Sequence, residues 1–525
     1  MNETRFERKS LLIVFVVLVT ALTLRLTGDH RIPPFDDLYH LKRIEFSRAH
    51  FPHVLDFDPD RGEHGAFCPW PPLYDLALSS VLSPRSSVWI PPIFFAAFAA
   101  AVTAAMWRFG APAALTAGLT LAVSPYLIGA SSVGHIDHHY VEPLLLLLIV
   151  VCAARRSGIA LGLAITLALF VQTALIVAAA LAFIVMLDHP REGGRAFAIP
   201  ALAIVLYRLT LPSAYPDSAW LLGFPHAALL LGAAIACAVR AYASRLVSIT
   251  AGAIVALAFP PTATAFFSGL RFFGGDPWLS TIVEFQPMFR DASRVGTDIA
   301  NLTGGALLAL LLWRKQRTFT IFSLAYLLLA ISSRRFLVPA IALFAIGGAL
   351  AAAYARRRSL AVAAMIVTLL PPVAYDIYAA RTGEPSNDEF RIIGERMRPL
   401  PSGRVLGPWS FGHAIDVIGR KPVIIDNFGS MPDERVFTQA IEAMLTTRES
   451  LLLGYCRTRG VRYLVLPHPA YIPPTAATIG IDPELYSRTR LARRTVWARL
   501  FGGEEIEGFT QLEDRRQAIR IWKIE

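Results

Sequence analysis

The feature that most constrains this chain is a long succession of apolar runs separated by short clusters of Lys and Arg. Runs near 87–107, 111–130, 139–153, 195–211, 220–239, 246–264, 299–313, 318–333, 336–354 and 359–379 each approach the length a helix needs to cross a bilayer. Leu11–Leu24 is a further run behind the basic Arg5-Phe6-Glu7-Arg8-Lys9. No small-residue cleavage site follows it, so it reads as a retained first span and not a signal peptide. The stretch 158–188 is too long for one span and is expected to hold two, divided near Gln172. About thirteen spans result. Only 17% of the 525 residues are charged, below the roughly one quarter of a soluble protein, so most of the chain must meet lipid.

A formal net charge of +11 could point to nucleic acid, but the basic residues are not gathered into one patch. Arg108, Arg155-Arg156, Arg191 to Arg195, Arg240 and Arg245, Arg314-Lys315-Gln316-Arg317 and Arg356-Arg357-Arg358 all fall on one side of the alternating spans. That is the positive-inside pattern, which excludes a nucleic-acid partner and sets the N-terminus in the cytoplasm. The four cysteines have no paired spacing, so no disulfide framework or zinc motif is offered.

An odd number of spans places everything after about residue 380 outside. Val423-Ile424-Ile425 and Val461-Arg462-Tyr463-Leu464-Val465-Leu466 read as strands, and Phe437–Leu453 as a helix. The expected fold class is therefore a polytopic α-helical membrane protein with a C-terminal extracytoplasmic α/β domain. Residues 1–380 form its transmembrane domain with long outer loops 28–86 and 265–298, and residues 381–525 form the soluble domain. The expected location is the cell (inner or plasma) membrane, multi-pass.

Gly134-His135-Ile136-Asp137-His138-His139-Tyr140-Val141-Glu142 crowds polar groups against the apolar run Leu144–Val151, where polarity is costly without a use. Two acidic stretches lie far off in sequence, Phe35-Asp36-Asp37 and Thr281-Ile282-Val283-Glu284. Asp36 and the pair Asp137 and His139 stand at outer span ends. Oxygen donors with one imidazole, drawn from several segments, suit Mn²⁺ or Mg²⁺ better than a closed structural zinc site. The other reading of Asp137-His138-His139 is a hydrated helix N-terminus, where the helix dipole favours an acid. Asp36-Asp37 and Glu284, each taken singly, read as ordinary loop carboxylates; it is their combination with Asp137-His138-His139 that points to a site. Arg334-Arg335-Phe336 breaks the charge rule by facing outward. Such arginines either grip a diphosphate through bidentate bonds or snorkel at the interface.

These residues resemble the catalytic subunit of oligosaccharyltransferase, in the single-subunit form of archaea and some bacteria. Phe35-Asp36-Asp37-Leu38-Tyr39-His40-Leu41-Lys42 is similar to its first acidic motif and Gly134-His135-Ile136-Asp137-His138-His139 to its second. Thr281-Ile282-Val283-Glu284 fits its Thr-Ile-x-Glu motif, and Arg335-Phe336 its late-span Arg-Phe. The resemblance covers the whole chain and implies the C-type glycosyltransferase fold, with a polyprenyl-diphosphate-linked oligosaccharide as donor. The acceptor it implies is the Asn side chain of a sequon in a polypeptide.

By the same resemblance Asp36, Asp137 and His139 bind the metal, Asp36 and Glu284 polarise the acceptor amide, and Arg335 with Arg334 holds the diphosphate. His64, His138 and Asp37 are further candidates. The family's Trp-Trp-Asp, which grips the sequon hydroxyl, is replaced by Pro408-Trp409-Ser410, so acceptor contacts are expected from Trp409, Ser410 and Glu284 in an altered form.

Three other readings are weighed. A C-type enzyme moving one sugar from a polyprenyl monophosphate would share the acidic first loop and Trp70-Pro71-Pro72-Leu73, but not Thr281–Glu284. A transporter of lipid-linked glycan would place its polar groups near the bilayer midplane, often within repeats, whereas the acids here lie at span ends. A non-catalytic relative that only binds lipid-linked glycan would carry these same residues, and loss of turnover without loss of donor binding would identify it.

Overall fold

The computed structural model describes residues 2–27, 30–81, 83–270, 276–290, 295–312, 316–354, 358–382, 388–431, 433–512 and 518–525. The basic clusters Arg314-Lys315 and Arg356-Arg357 lie outside them. The chain divides into two compact units. The first comprises Met1–Ile32, Trp70–Phe273 and Glu284–Glu384; the second comprises Pro33–Pro69, Gly274–Val283 and Pro385–Glu525.

The first unit is helical. Among its described residues four helices are long and apolar enough to cross a membrane: Lys9–Leu26, Ile90–Phe109, Val295–Leu312 and Arg334–Tyr354. The number rises to 6 if each of two bent pairs is one span. Shorter apolar helices include His138–Ala154, Gly158–Val171, Thr173–Met186, Phe224–Val239 and Arg317–Ser332.

The division expected near Gln172 is present, because Gln172 adopts an extended conformation between the helix Gly158–Val171 and the turn Thr173–Leu175. Two runs read as single spans are broken instead. The run 111–130 is Ala111–Ala122 and Pro125–Ser131, bent by 55°, and the run 246–264 is Arg245–Leu257 and Pro260–Leu270, bent by 101°. Proline lacks the N–H that would continue the helical ladder; Pro125 opens one second half, and Pro260-Pro261 opens the other. Leu337–Tyr354 is the most buried helix of this unit's long spans. It packs against Val295–Leu312 at a crossing where a Cβ on Gly304 or Gly347 would overlap the facing backbone.

In the second unit, β1 (Phe57–Asp58) and β2 (Ala66–Phe67) form an antiparallel hairpin. β3 (Arg404–Leu406), β4 (Val461–Pro467), β5 (Phe509–Gln511) and β6 (Ile519–Ile524) form a sheet in the order β3-β4-β6-β5. β3 runs parallel to β4, and the other pairs are antiparallel. The strand expected over 461–466 is β4. Val423-Ile424-Ile425 is not a strand: Val423 makes only isolated bridges to Val405 and Arg61.

The helix expected over Phe437–Leu453 is two helices, Glu434–Leu445 and Glu449–Thr458. Thr446 ends the first, its hydroxyl accepting from the Arg448 amide (3.2 Å) and its carbonyl from the Val496 amide (2.9 Å). A Thr side chain that bonds local backbone competes with helix continuation. Asp36–Ala49 is held in this unit by a polar core. There Arg61 pairs with Asp426, Tyr39 donates to Asp58 (2.9 Å), and Lys42 bridges Asp58 (2.7 Å) and Asp416 (2.8 Å).

Candidate functional site

In the first unit the site begins where the helix Pro125–Ser131 ends. Gly134 turns the chain with φ of 91°, and a Cβ there would lie 2.6 Å from the Arg31 carbonyl oxygen. Only glycine fits such a position without strain. The Ile136 carbonyl accepts from the Tyr74 hydroxyl (2.6 Å), which fixes the next residue, Asp137, in an extended conformation before the short turn His138–Tyr140. Glu142 opens the following helix. It lies three and four residues beyond the two histidines, the spacing that brings side chains together on one helical face.

The contacts are ordered by that spacing. His138 sits with Nδ1 2.8 Å from Asp137 Oδ1 and Nε2 2.6 Å from the Gln172 amide nitrogen. Both its nitrogens thus have near partners, one of them Asp137. His139 Nδ1 lies 2.9 Å from Glu142 Oε1. In the tautomer with its proton on Nδ1, His139 therefore donates to Glu142 and turns the Nε2 lone pair outward. That Nε2 is 3.2 Å from Asp137 Oδ2 and 3.7 Å from Glu284 Oε2. An imidazole whose other nitrogen is held by a carboxylate is the usual supported metal ligand. Asp137 and Glu284 thus each bring a carboxylate oxygen within 4 Å of His139 Nε2, donor types that a divalent ion takes. His138, His139 and Glu142 also offer donor atoms within 4.8 Å of one another, but the partners just described occupy them.

Arg335 secures this arrangement from behind. Its guanidinium donates to Glu142 Oε2 (3.1 Å) and Oε1 (2.6 Å), both side chains being buried. The two residues also line a cleft with Gln172, Tyr326, Phe336 and Pro339. Arg334 turns elsewhere: it is buried 3.5 Å from Asp298, which also accepts from the Tyr126 hydroxyl (2.5 Å) and the Phe289 amide (3.2 Å). The Arg334 amide donates to the Gln286 carbonyl (3.0 Å). Its structural task is thus to hold the segment following Glu284. Glu284 itself is 43% exposed.

In the second unit Asp36 is the first residue of Asp36–Ala49, 41% exposed, with Oδ1 3.6 Å from His413 Nε2. His413 is fully buried, stacked on Tyr39 with ring centroids 4.9 Å apart. Burial holds its imidazole neutral, lowering it to about 3, with the Arg61 and Lys42 charges acting the same way and Asp426 opposing. Burial pushes Asp416 up to about 7, opposed by Lys42 and reinforced by Asp58. Burial would also raise Asp426, but the Arg61 guanidinium holds it below the usual carboxylate range. Asp37 is buried. His64 is 88% exposed beside Glu63, a solvent position unlike that of the other candidates. Trp409 and Ser410 lie half-buried in the turn Trp409–Phe411, and Trp409 packs edge-on against Trp278 at 5.8 Å.

Sequence reasoning gave no role to Glu142, although its spacing from His138 and His139 was legible. Asp298, Tyr126 and Gln172 carried no such signal, since the side chains they meet, Arg334 with Asp298, Asp298 with Tyr126 and His138 with Gln172, are more than thirty residues away.

No family model matches the chain, and no curated protein sequence matches it. Solved structures do. The archaeal oligosaccharyltransferase AglB from Archaeoglobus fulgidus, in complex with an inhibitory peptide and a dolichol-phosphate, superposes with a TM-score of 0.79 at 16% identity. That match covers 97% of this chain and 80% of the other. The A. fulgidus oligosaccharyltransferase tethered to an acceptor peptide containing the NVT sequon gives 0.74 at 17% identity over 96% and 79%. Its complex with Zn and sulfate gives 0.72 at 16% identity over 96% and 78%. Over nearly its whole length, this chain has the fold of these archaeal oligosaccharyltransferase structures, at 16–17% sequence identity.

Proposed function

We propose that this protein is an oligosaccharyltransferase, transferring a glycan from a polyprenyl-diphosphate carrier to the Asn side chain of an acceptor polypeptide. The observation that carries this is the His139 Nε2 face, which meets Asp137 Oδ2 and Glu284 Oε2 within 4 Å while Glu142 and Arg335 fix the ring from behind. The structural relatives include complexes with a dolichol-phosphate and with a sequon peptide, which supports the same donor and acceptor classes here.

Asp137, His139 and Glu284 would hold Mn²⁺ or Mg²⁺, and Asp36 joins this assignment through its motif. When bound, the ion supplies charge neutralisation for the carboxylates and the leaving diphosphate. The chain's own groups do the rest. An amide nitrogen is a poor nucleophile because its lone pair is delocalised into the carbonyl. Glu284 and Asp36, accepting its N–H bonds, concentrate electron density on nitrogen. The nitrogen attacks the anomeric carbon with inversion, the C–N bond forming as the C–O bond breaks and diphosphate leaves with the electron pair. The amide proton passes to a carboxylate oxygen. Of the two arginines, Arg335 is the one assigned to the diphosphate, through the N–H groups not engaged by Glu142.

The supporting topology has about thirteen spans, the N-terminus in the cytoplasm and the residues after about 380 outside, as the positions of Lys and Arg indicate. A single subunit is expected to suffice.

Purified protein with Mn²⁺, lipid-linked oligosaccharide and two fluorescent peptides tests the reading. Transfer is expected to an Asn-x-Thr peptide and not to its Gln-x-Thr counterpart. EDTA should abolish it, and Asp137→Ala or Asp36→Ala should lower kcat/KM at least about 100-fold, the scale of losing a preorganised charged group. Transfer to neither peptide by the wild type, with donor still bound, would sink the assignment of acceptor.

A further inference from the structure

The second unit places Asp276–Thr281 immediately before Ile282-Val283-Glu284, and several features converge on holding it. Asp276 Oδ1 caps the short helix Pro277–Thr281, accepting from the Trp278 (2.8 Å) and Leu279 (3.1 Å) amides, while its Oδ2 accepts from the Ser430 hydroxyl (3.3 Å). Trp278 is 1% exposed. Its ring meets Trp409 at 5.8 Å and Phe437 at 6.3 Å, both edge-on. Gly429, with φ of 54°, forms the floor: a Cβ there would overlap the indole ring. Pro277 lies against Gly480, 3.4 Å from where a Cβ would stand. The indole N–H has no hydrogen-bond partner among the described residues, so the ring is held by packing and not by its polar edge.

We infer that Trp278 is a positioning residue for acceptor binding: its insertion between Gly429, Trp409 and Phe437 pre-orders the segment that carries Glu284. This rests on the oligosaccharyltransferase reading above. In this chain Trp409 is thereby used to seat the loop, at the very turn where Pro408 and Ser410 depart from Trp-Trp-Asp. A segment ordered in advance spares the acceptor the entropy of ordering it. Removing the anchor should weaken acceptor binding while leaving chemistry intact once acceptor is bound.

The test uses the full chain in detergent with lipid-linked oligosaccharide and an Asn-x-Thr peptide, reading amide hydrogen exchange of residues 279–284 beside steady-state kinetics. Trp278→Ala should lose about tenfold in exchange protection and raise acceptor KM about tenfold, the scale of losing two aromatic contacts. Its kcat at saturating peptide should stay within about twofold. Trp278→Phe should restore most of both. Gly429→Ala alone should reproduce the Trp278→Ala effect, yet add nothing to it in the double variant, because its effect acts through the ring. Unchanged protection in Trp278→Ala, or a fall in kcat with KM unmoved, would overturn the inference. Should the wild type transfer to no peptide, the functional reading fails, while hydrogen exchange still decides whether Trp278 orders the loop.

Discussion

Glu142 and Arg335 show how a buried charge pair can serve a site. Each is nearly inaccessible to solvent, and neither would be tolerated alone at such depth, since an unpaired buried charge costs several kcal/mol. Together they are neutralised, and Glu142 Oε1, which accepts from Arg335, also lies 2.9 Å from His139 Nδ1. Glu142→Leu or Arg335→Met alone is therefore expected to destabilise the protein by about 3–5 kcal/mol, while the double variant should cost much less. Thermal unfolding of the four proteins measures this. Additive losses would show that the pair is not coupled. Activity should be low even in the stable double variant, because His139 then lacks the partner that fixes its tautomer. His139 and Asp137 were legible as a pair in the sequence; the support behind them was not, because Arg335 is 193 positions from Glu142.

Among the elements, the 55° bend between Ala111–Ala122 and Pro125–Ser131 stands just before the Asp137 motif. Pro125 cannot donate to the Leu121 carbonyl, and the break also frees the Ala122 carbonyl. Arg25 satisfies both, at 3.4 and 3.0 Å, and donates to Ser131 Oγ at 2.6 Å, with its guanidinium 4.2 Å over the Phe95 ring. In an apolar surround, a carbonyl left without a donor costs several kcal/mol. Arg25→Ala is expected to destabilise by about 2–4 kcal/mol, whereas Arg25→Lys, with a point charge in place of a fork, should recover only part. A thermal unfolding series with both variants checks this; equal stability of Arg25→Ala and wild type would refute it. The sequence showed the apolar run here but not its bend. Likewise it showed the helical pattern over Phe437–Leu453 but not the break at Thr446, where a hydroxyl's local bonding outweighs periodicity.

At the scale of the molecule, the order of apolar runs and basic clusters predicts a cytoplasmic N-terminus and an outside C-terminus. A phosphatase fused after Glu525 should be active, and a green fluorescent fusion at the same point dark; the reverse pattern would invert the topology.

What the sequence determined by itself is local and additive: apolar runs long enough for lipid, charge clusters between them, and four short motifs in a telling order. Such signals survive without knowledge of neighbours because hydropathy and charge act residue by residue. Only tertiary structure decided that Arg335 backs Glu142 while Arg334 turns to Asp298. It also decided that His138 meets Asp137 and Gln172 while His139 faces the carboxylates, and that Gly274–Val283 belongs with the C-terminal unit. These outcomes depend on partners brought together from distant positions, where burial makes a charge stable only beside its counterpart, and no local pattern encodes which counterpart that is.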